Sequence, residues 1–523
     1  MTARLPATVA CAWLAAPLLG AAPPAAPEAA AVRAKVRAWR EAQEPRILRE
    51  LADLLALPNV AQKPDDIRRN ADHILGLLRA RGLRARLLEV AGGAPAVYGE
   101  LAAREGAPTV LIYAHYDGQP VDPAQWTTPP WTPVLRDGPL EANGREVPLP
   151  SAPGQAGPEW RLYARSASDD KAPIVAVLAA VDALRAGGLP LTVNLKLFLE
   201  GEEEAGSPHL EAMLRAHAST LAADLWLLCD GPVHQTRRAQ VFFGVRGVTG
   251  LEMTAYGPAR ALHSGHYGNW APNPALTIAH AVASLRDETG RVLVDGYYDD
   301  VRPPTESERR AVAAAPPVER QLAAALSLSE SPDGKSLAEG VLEPAINVRG
   351  LRAGGVGEQA ANAIPTRAQA SLDFRLVPDQ TPAAVRAKVE AHLRRRGYRI
   401  VHAPPSAETR AEGPRLLYLQ WEEGYPAART SLDDPAAAAL VRVIDEAVGG
   451  GLVVLPTLGG SVPMHRFAEA TGAPIVGLPI ANHDNNQHAA DENLRLQNLW
   501  DGIELYAAVL ARLGPGLAAA RSR

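Results

Sequence analysis

An apolar run over residues 192–199 breaks off into four carboxylates within five positions: Glu200, Glu202, Glu203 and Glu204. The run is short and bulky, as a buried strand is, and its acidic end constrains the fold more than any other stretch. In open α/β sheets, ligands meet the protein at the carboxyl ends of the strands. Four carboxylates at one such end repel each other unless a cation sits among them. A solvated acidic turn would have the same composition, but it would stand alone. Here, three other strand-like runs also end in ligand-type residues. Residues 109–114 lead into His115-Tyr116-Asp117, residues 224–229 into Asp230, and residues 474–480 into a polar loop that reaches His488. Asp169 and Asp170 stand at the start of a helical pattern over 172–186, where an N-terminal acidic pair is also favoured by the helix dipole.

Between about 80 and 232, strand and helix patterns alternate, which predicts a mostly parallel sheet flanked by helices. From residue 241 the texture changes. Residues 242–255 alternate like an antiparallel strand pair, a Gly- and Pro-rich turn at 261–274 carries two histidines, and 382–395 reads as a helix between strands. The expected organisation is an α/β catalytic domain over 31–245 and 406–515, with an α+β lid or dimerisation domain inserted at 246–405. Residues 457–463 form a glycine turn opening a helix, a possible cradle for an anion or carboxylate.

The first 22 residues resemble a secretory signal peptide: one early charge at Arg4, an apolar stretch to Leu19, and small residues up to Ala22. Its removal would leave Cys229 as the only cysteine, so no intrachain disulfide could form. No later run reaches the ~18 uninterrupted apolar residues of a membrane span. A secreted or periplasmic protein, not held by a membrane after signal removal, is expected. The formal net charge of −5 leaves no basic face for nucleic acid.

His115, Asp169, Glu203, Glu204, Asp230 and His488 form a mixed nitrogen and oxygen donor set without thiolate, which suits Zn²⁺ or Mn²⁺. It is large enough for two metal ions sharing a bridging carboxylate, with ~3.5–4 Å between the ions. One carboxylate would remain as general base for a water molecule.

The ordered set of motifs resembles the co-catalytic dizinc metallopeptidases that include aminoacylase, glutamate carboxypeptidase and the carnosinase-type dipeptidases. It is similar over about 45–513 through His115-Tyr116-Asp117, Ser168-Asp169-Asp170-Lys171, Glu203-Glu204-Ala205-Gly206-Ser207, Asp230, Leu262-His263-Ser264-Gly265, Phe374-Arg375-Leu376-Val377-Pro378, Gly459-Gly460-Ser461 and His488. The resemblance implies that Asp169 bridges two divalent ions, Zn²⁺ or else Mn²⁺ or Co²⁺. It implies that His115 and Asp230 complete one site, and Glu204 and His488 the other. Glu203 would be the general base and Asp117 the group that orients His115. His263 would reach a partner subunit's active site in a homodimer and stabilise an oxyanion. Arg375 and Ser461, with Gly460 beside them, would hold a substrate carboxylate, and Asn362 stands where the dipeptidase pattern has a substrate-contacting Thr.

Three positions depart from the pattern. Ala172 replaces a Gly, Arg165-Ser166 replaces an Arg-Gly, and Thr457-Leu458 precede the glycine turn where charged residues are usual. No ligand is lost. The expected activity is hydrolysis of dipeptides or short peptides with a free C-terminal carboxylate. N-acyl amino acid hydrolysis is the alternative, and a non-catalytic peptide-binding relative is disfavoured by the intact Glu203 and ligand positions.

Overall fold

The structure, a computed structural model, describes residues 27–329 and 334–522. The expected signal peptide at 1–22 lies outside the described residues. Helices α1 (Ala29–Leu55) and α2 (Pro64–Ala80) lead into the antiparallel strands β1 (Arg84–Leu88) and β2 (Ala96–Leu101). Then follow β3 (Thr109–His115), α3 (Lys171–Ala186), β4 (Asn194–Glu200), β5 (Leu225–Leu228) and β6 (Gln240–Phe242). The chain next builds β7 (Gly247–Tyr256), α4 (Pro274–Ala283), β8 (Ala345–Ala353), β9 (Arg367–Leu376), α5 (Pro382–Arg395), β10 (Arg399–Val401) and β11 (Leu416–Trp421). It returns with α6 (Pro435–Val448), β12 (Val453–Leu455), β13 (Ile475–Gly477) and α7 (Leu496–Arg512).

The first sheet has eight strands in the order β1-β2-β4-β3-β5-β13-β6-β12. Its centre, β4-β3-β5-β13, is parallel, and antiparallel pairs flank it. Both faces are covered, as a parallel centre requires. Val110, Ile112 and Ala114 of β3 face a core shared with α1, α3, α6 and α7, whereas Leu111 and Tyr113 face a second core with Phe198, Trp226, Met464 and Phe467. Burying each large side chain contributes about 1.5–3 kcal/mol. A one-residue slip would turn every β3 side chain to the wrong face, so the register is pinned. That register sets His115 opposite Glu200 at the strand ends.

The second sheet runs β8-β9-β7-β11-β10, and α4 and α5 cover one face only. Its other face is polar, with Arg349 bridging Glu252 at 3.1 Å and Glu422 at 2.9 Å. Two expectations change here. Residues 242–255 are not a hairpin: Phe242 ends a strand of the first sheet and Gly247 begins one of the second, so the alternation spans a crossing between sheets. The second sheet also continues past residue 405, because Leu416–Trp421 pairs with β7. The apolar pattern of β11 matches a strand of either sheet, and only its pairing partner tells them apart.

Candidate metal centre

The site grows from three strand ends and one helix start. His115 closes β3 and is fully buried. Its Nε2 lies 2.9 Å from Asp169 Oδ1, and its Nδ1 lies 3.2 Å from the Asp117 carbonyl and 3.4 Å from Asp117 Oδ1. The Asp117 carboxylate also accepts from the backbone N–H of Glu203 at 3.1 Å and of Glu204 at 2.9 Å. One buried carboxylate thus fixes both the imidazole and the turn that presents Glu203 and Glu204. Such outer partners orient metal ligands.

Asp169 precedes α3. Its Oδ1 faces His115, while its Oδ2 lies 3.1 Å from His488 Nε2 and accepts from Gln487 Nε2 at 2.8 Å. The backbone under Asp169 hangs from Glu492, a residue that the sequence reading missed. Glu492 Oε1 accepts from the N–H groups of Ser168 (2.9 Å) and Asp169 (3.0 Å), and Oε2 from Ser166 N–H (2.9 Å) and Arg165 Nη1 (2.8 Å). The departure at Ser166 has its explanation in the same network. Ser166 adopts φ 63°, a left-handed conformation that favours glycine. Its N–H bond to Glu492 and the bond that its Oγ accepts from Asn59 Nδ2 at 2.8 Å hold it there. The only sequence signal for Glu492 was its place four residues after His488, just before the helical pattern that begins at Asn493.

Ligand-type atoms converge in two groups, His115/Glu203/Asp230 and His115/Asp169/Glu204, each within 4.8 Å. His488 Nε2 stands 3.3 Å from Glu204 Oε2, adding a second imidazole to the latter. Burial, and then the neighbouring Asp169, push the Glu204 carboxyl up to about 8 and that of Asp230 up to about 6. Burial likewise raises Glu203 well above the usual carboxylate range. At His115, burial opposes the charged ring, yet hydrogen bonds to Asp117 and Asp169 outweigh it and hold the pKa well above the ordinary value. A buried group of carboxylates that strains against its own charge fits divalent cations, and its N and O donors match Zn²⁺ or Mn²⁺. Lys171, next in sequence to Asp170, does not neutralise it, because Nζ donates instead to the Leu54 and Leu57 carbonyls.

The substrate-side residues fall into two places. Arg375, on the polar face of β9, donates from Nη1 to Ser461 Oγ at 2.9 Å and from Nε to Asp373 at 2.9 Å. The Gly460 carbonyl accepts from Arg246 N–H at 3.2 Å, so the glycine turn is tied to the crossing between sheets. The helix after this turn begins at Met464. His263 and Asn362 lie elsewhere. Leu262–His263 pairs with Ala363–Ile364 in a small ribbon whose His263 and Ala363 are exposed, and Ser264 N–H donates to the Asn362 carbonyl at 2.8 Å. Among the described residues, no hydrogen bond of either side chain reaches the metal centre.

A model for peptidase family M20/M25/M40 matches residues 111–512. The Cys-Gly metallodipeptidase of Schizosaccharomyces pombe is 25% identical over 426 residues, covering 80% of this chain and 83% of the relative. The Beta-Ala-His dipeptidase of Homo sapiens is 25% identical over 430 residues, covering 79% and 76%. Among solved structures, an M20 family metallo-carboxypeptidase from Sulfolobus solfataricus superposes with a TM-score of 0.72 at 28% identity, covering 90% of this chain and 99% of its own.

Proposed function

The chain belongs to peptidase family M20/M25/M40 and is a peptide-bond hydrolase that uses divalent metal ions, and from that premise we propose that it is a dizinc dipeptidase acting on substrates with a free C-terminal carboxylate. One observation carries the reading: the two oxygens of Asp169 each face a different imidazole, His115 at 2.9 Å and His488 at 3.1 Å. A carboxylate so placed suits a bridge between two ions, with Asp230 beside His115 and Glu204 beside His488.

Bound ions would polarise the scissile carbonyl and acidify water. The chain supplies the rest. Glu203 takes a proton from the attacking water and returns it to the departing amide nitrogen, so that a carboxylic acid and an amine leave. Asp117 keeps His115 oriented and the Glu203 turn in place. Arg375 and Ser461 receive the terminal carboxylate, which an arginine can bind through two parallel hydrogen bonds. A homodimer in which His263 completes the partner subunit's site belongs to the same proposal, with Asn362 as a substrate contact. It predicts that mixing inactive Glu203→Gln and His263→Ala proteins restores activity. Export after cleavage near Ala22 is tested by cell fractionation and N-terminal sequencing of the mature enzyme.

The deciding experiment is hydrolysis of a panel of dipeptides and N-acetyl amino acids with Zn²⁺ or Mn²⁺ and with chelator, alongside elemental analysis of the purified protein. Chelator-sensitive cleavage of dipeptides with about two ions per chain is expected. Cleavage confined to N-acetyl substrates would move the assignment to amidohydrolysis.

A further inference from the structure

The polar face of the second sheet carries a row of residues that the mechanism above uses only in part. Val248 pairs with Arg375 on one side and with Tyr425 on the other. Residues directly opposite across antiparallel strands send their side chains to one face, with Cα atoms ~4.5–5.5 Å apart. Arg375 and Tyr425 therefore flank Val248 on a common face, and the Arg375 bond to Ser461 marks it as the face toward the glycine turn.

Tyr425 is rigidly mounted. Its N–H donates to the Val248 carbonyl at 2.9 Å, and its carbonyl accepts from Val248 N–H at 3.0 Å. The approach is so close that a Cβ on Gly247 would fall 2.6 Å from the Tyr425 carbonyl oxygen. The ring stacks on His465, with centroids 5.2 Å apart and planes 10° from parallel. Burial pushes the His465 imidazole down to about 4, so a neutral ring backs the phenol.

The hydroxyl, by contrast, is unengaged: among the described residues, Tyr425 Oη makes no hydrogen bond, and the residue is half-buried rather than sealed in the core. After burial, the charge that acts on it most is that of Glu203, followed by Arg375, Arg466 and Asp230. Burial, with Glu203 and Asp230, pushes the phenol up to about 12 against the opposing pull of the two arginines, so it remains a donor at any working pH. A fixed donor thus stands on the same face as the arginine that anchors the substrate, one strand away from it.

We propose that the Tyr425 hydroxyl is a catalytic residue that donates a hydrogen bond to the scissile carbonyl oxygen as charge develops on it. The proposal rests on the roles given above to Glu203 and Arg375, because those two define where the scissile bond lies. The terminal carboxylate already has Arg375 and Ser461, and a phenol beside that anchor is placed for the carbonyl next to it. This donor comes from the same chain, independently of any contribution by the partner subunit.

Tyr425→Phe keeps the ring and its stack and removes only the donor. The expected result is a fall in kcat of about 10²–10³-fold with KM changed less than about threefold. A phosphinic dipeptide analogue should lose affinity in step with kcat/KM, while the product amino acid binds as before. Unchanged melting and metal content would show that the loss is local. Full kcat with a raised KM would assign the hydroxyl to the terminal carboxylate, and unchanged kinetics would leave it no role; either overturns the proposal while wild-type dipeptidase activity stands. A wild-type enzyme that cleaves no dipeptide would remove the underlying reading and this one with it.

Discussion

The two sheets solve opposite problems. The first is covered on both faces, and its ligand-type side chains emerge at strand ends whose register is fixed by two cores. Its polar groups are cross-braced: Asp117 holds His115 and the Glu203 turn, and Glu492 holds the Asp169 turn. The second is covered on one face, and the residues expected to meet substrate lie on its open side or on a small ribbon. The difference teaches that the metal end is preorganised by the chain alone, whereas the substrate end is assembled across the crossing at residues 245–248. Substitutions in the first region should therefore reduce kcat or stability, and those at the carboxylate anchor of the second, Arg375 and Ser461, should act through KM, with Tyr425 the one exception proposed above.

The largest effect should come from Glu203→Gln, which keeps size and position but removes the base. A loss in kcat of about 10³–10⁴-fold is expected, with bound metal unchanged by elemental analysis. Normal turnover by this variant would deny Glu203 its role. Glu492→Ala comes next, and it tests bracing rather than chemistry. It strands the buried Arg165 guanidinium and three backbone N–H groups, so unfolding in denaturant should show a loss of roughly 3–5 kcal/mol. A smaller effect is expected across the divide: Arg375→Ala removes a charge-assisted contact of about 1.5–3 kcal/mol, which should raise KM roughly 10–150-fold with little change in kcat. If Arg375→Ala instead abolished kcat, the separation of the two regions would fail.

The same comparison explains what could be read from the sequence. His115, Asp169, Glu203, Glu204 and Asp230 were legible because each follows a strand or opens a helix whose periodicity is strong, and strand ends converge in such a sheet. His488 was legible only with the motif set, since it stands in a loop at φ 65° with no periodicity around it. Glu492 was not legible: its function lies in backbone N–H groups more than 300 residues earlier, which no local pattern reports. Tyr425 was hidden for a related reason, because its row exists only once the crossing strand lies between β9 and residue 425. The boundary set at 405 missed β11 for the same cause, that pairing partners are non-local.

The smallest predicted effect concerns the metal-free protein, and it sharpens the contrast between the regions through pH. Glu204 is raised from 4.5 to about 8 and Asp230 from 3.8 to about 6, so between pH 5 and 7 the folded state binds more protons than the unfolded chain. Stability then falls as pH rises, because the slope follows the unfolded-minus-folded proton count. His115 and His488 act in the same direction, since both are raised in the fold and lose that stabilisation as they deprotonate. Lys171, lowered to about 7, opposes the trend only above that value. Chelator-treated protein should therefore melt lower at pH 7 than at pH 5, by roughly 1–4 °C per unit. Added Zn²⁺ should reverse the slope, because metal binding favours the deprotonated carboxylates and competes with protons for both imidazoles. The open face of the second sheet holds no comparable buried acidic cluster among the described residues, so Arg375→Ala should leave this pH slope intact while Glu204→Gln flattens it. An equal slope in the metal-free and metal-loaded proteins would mean that the strain is not seated in the cluster of His115, Asp169, Glu204 and Asp230.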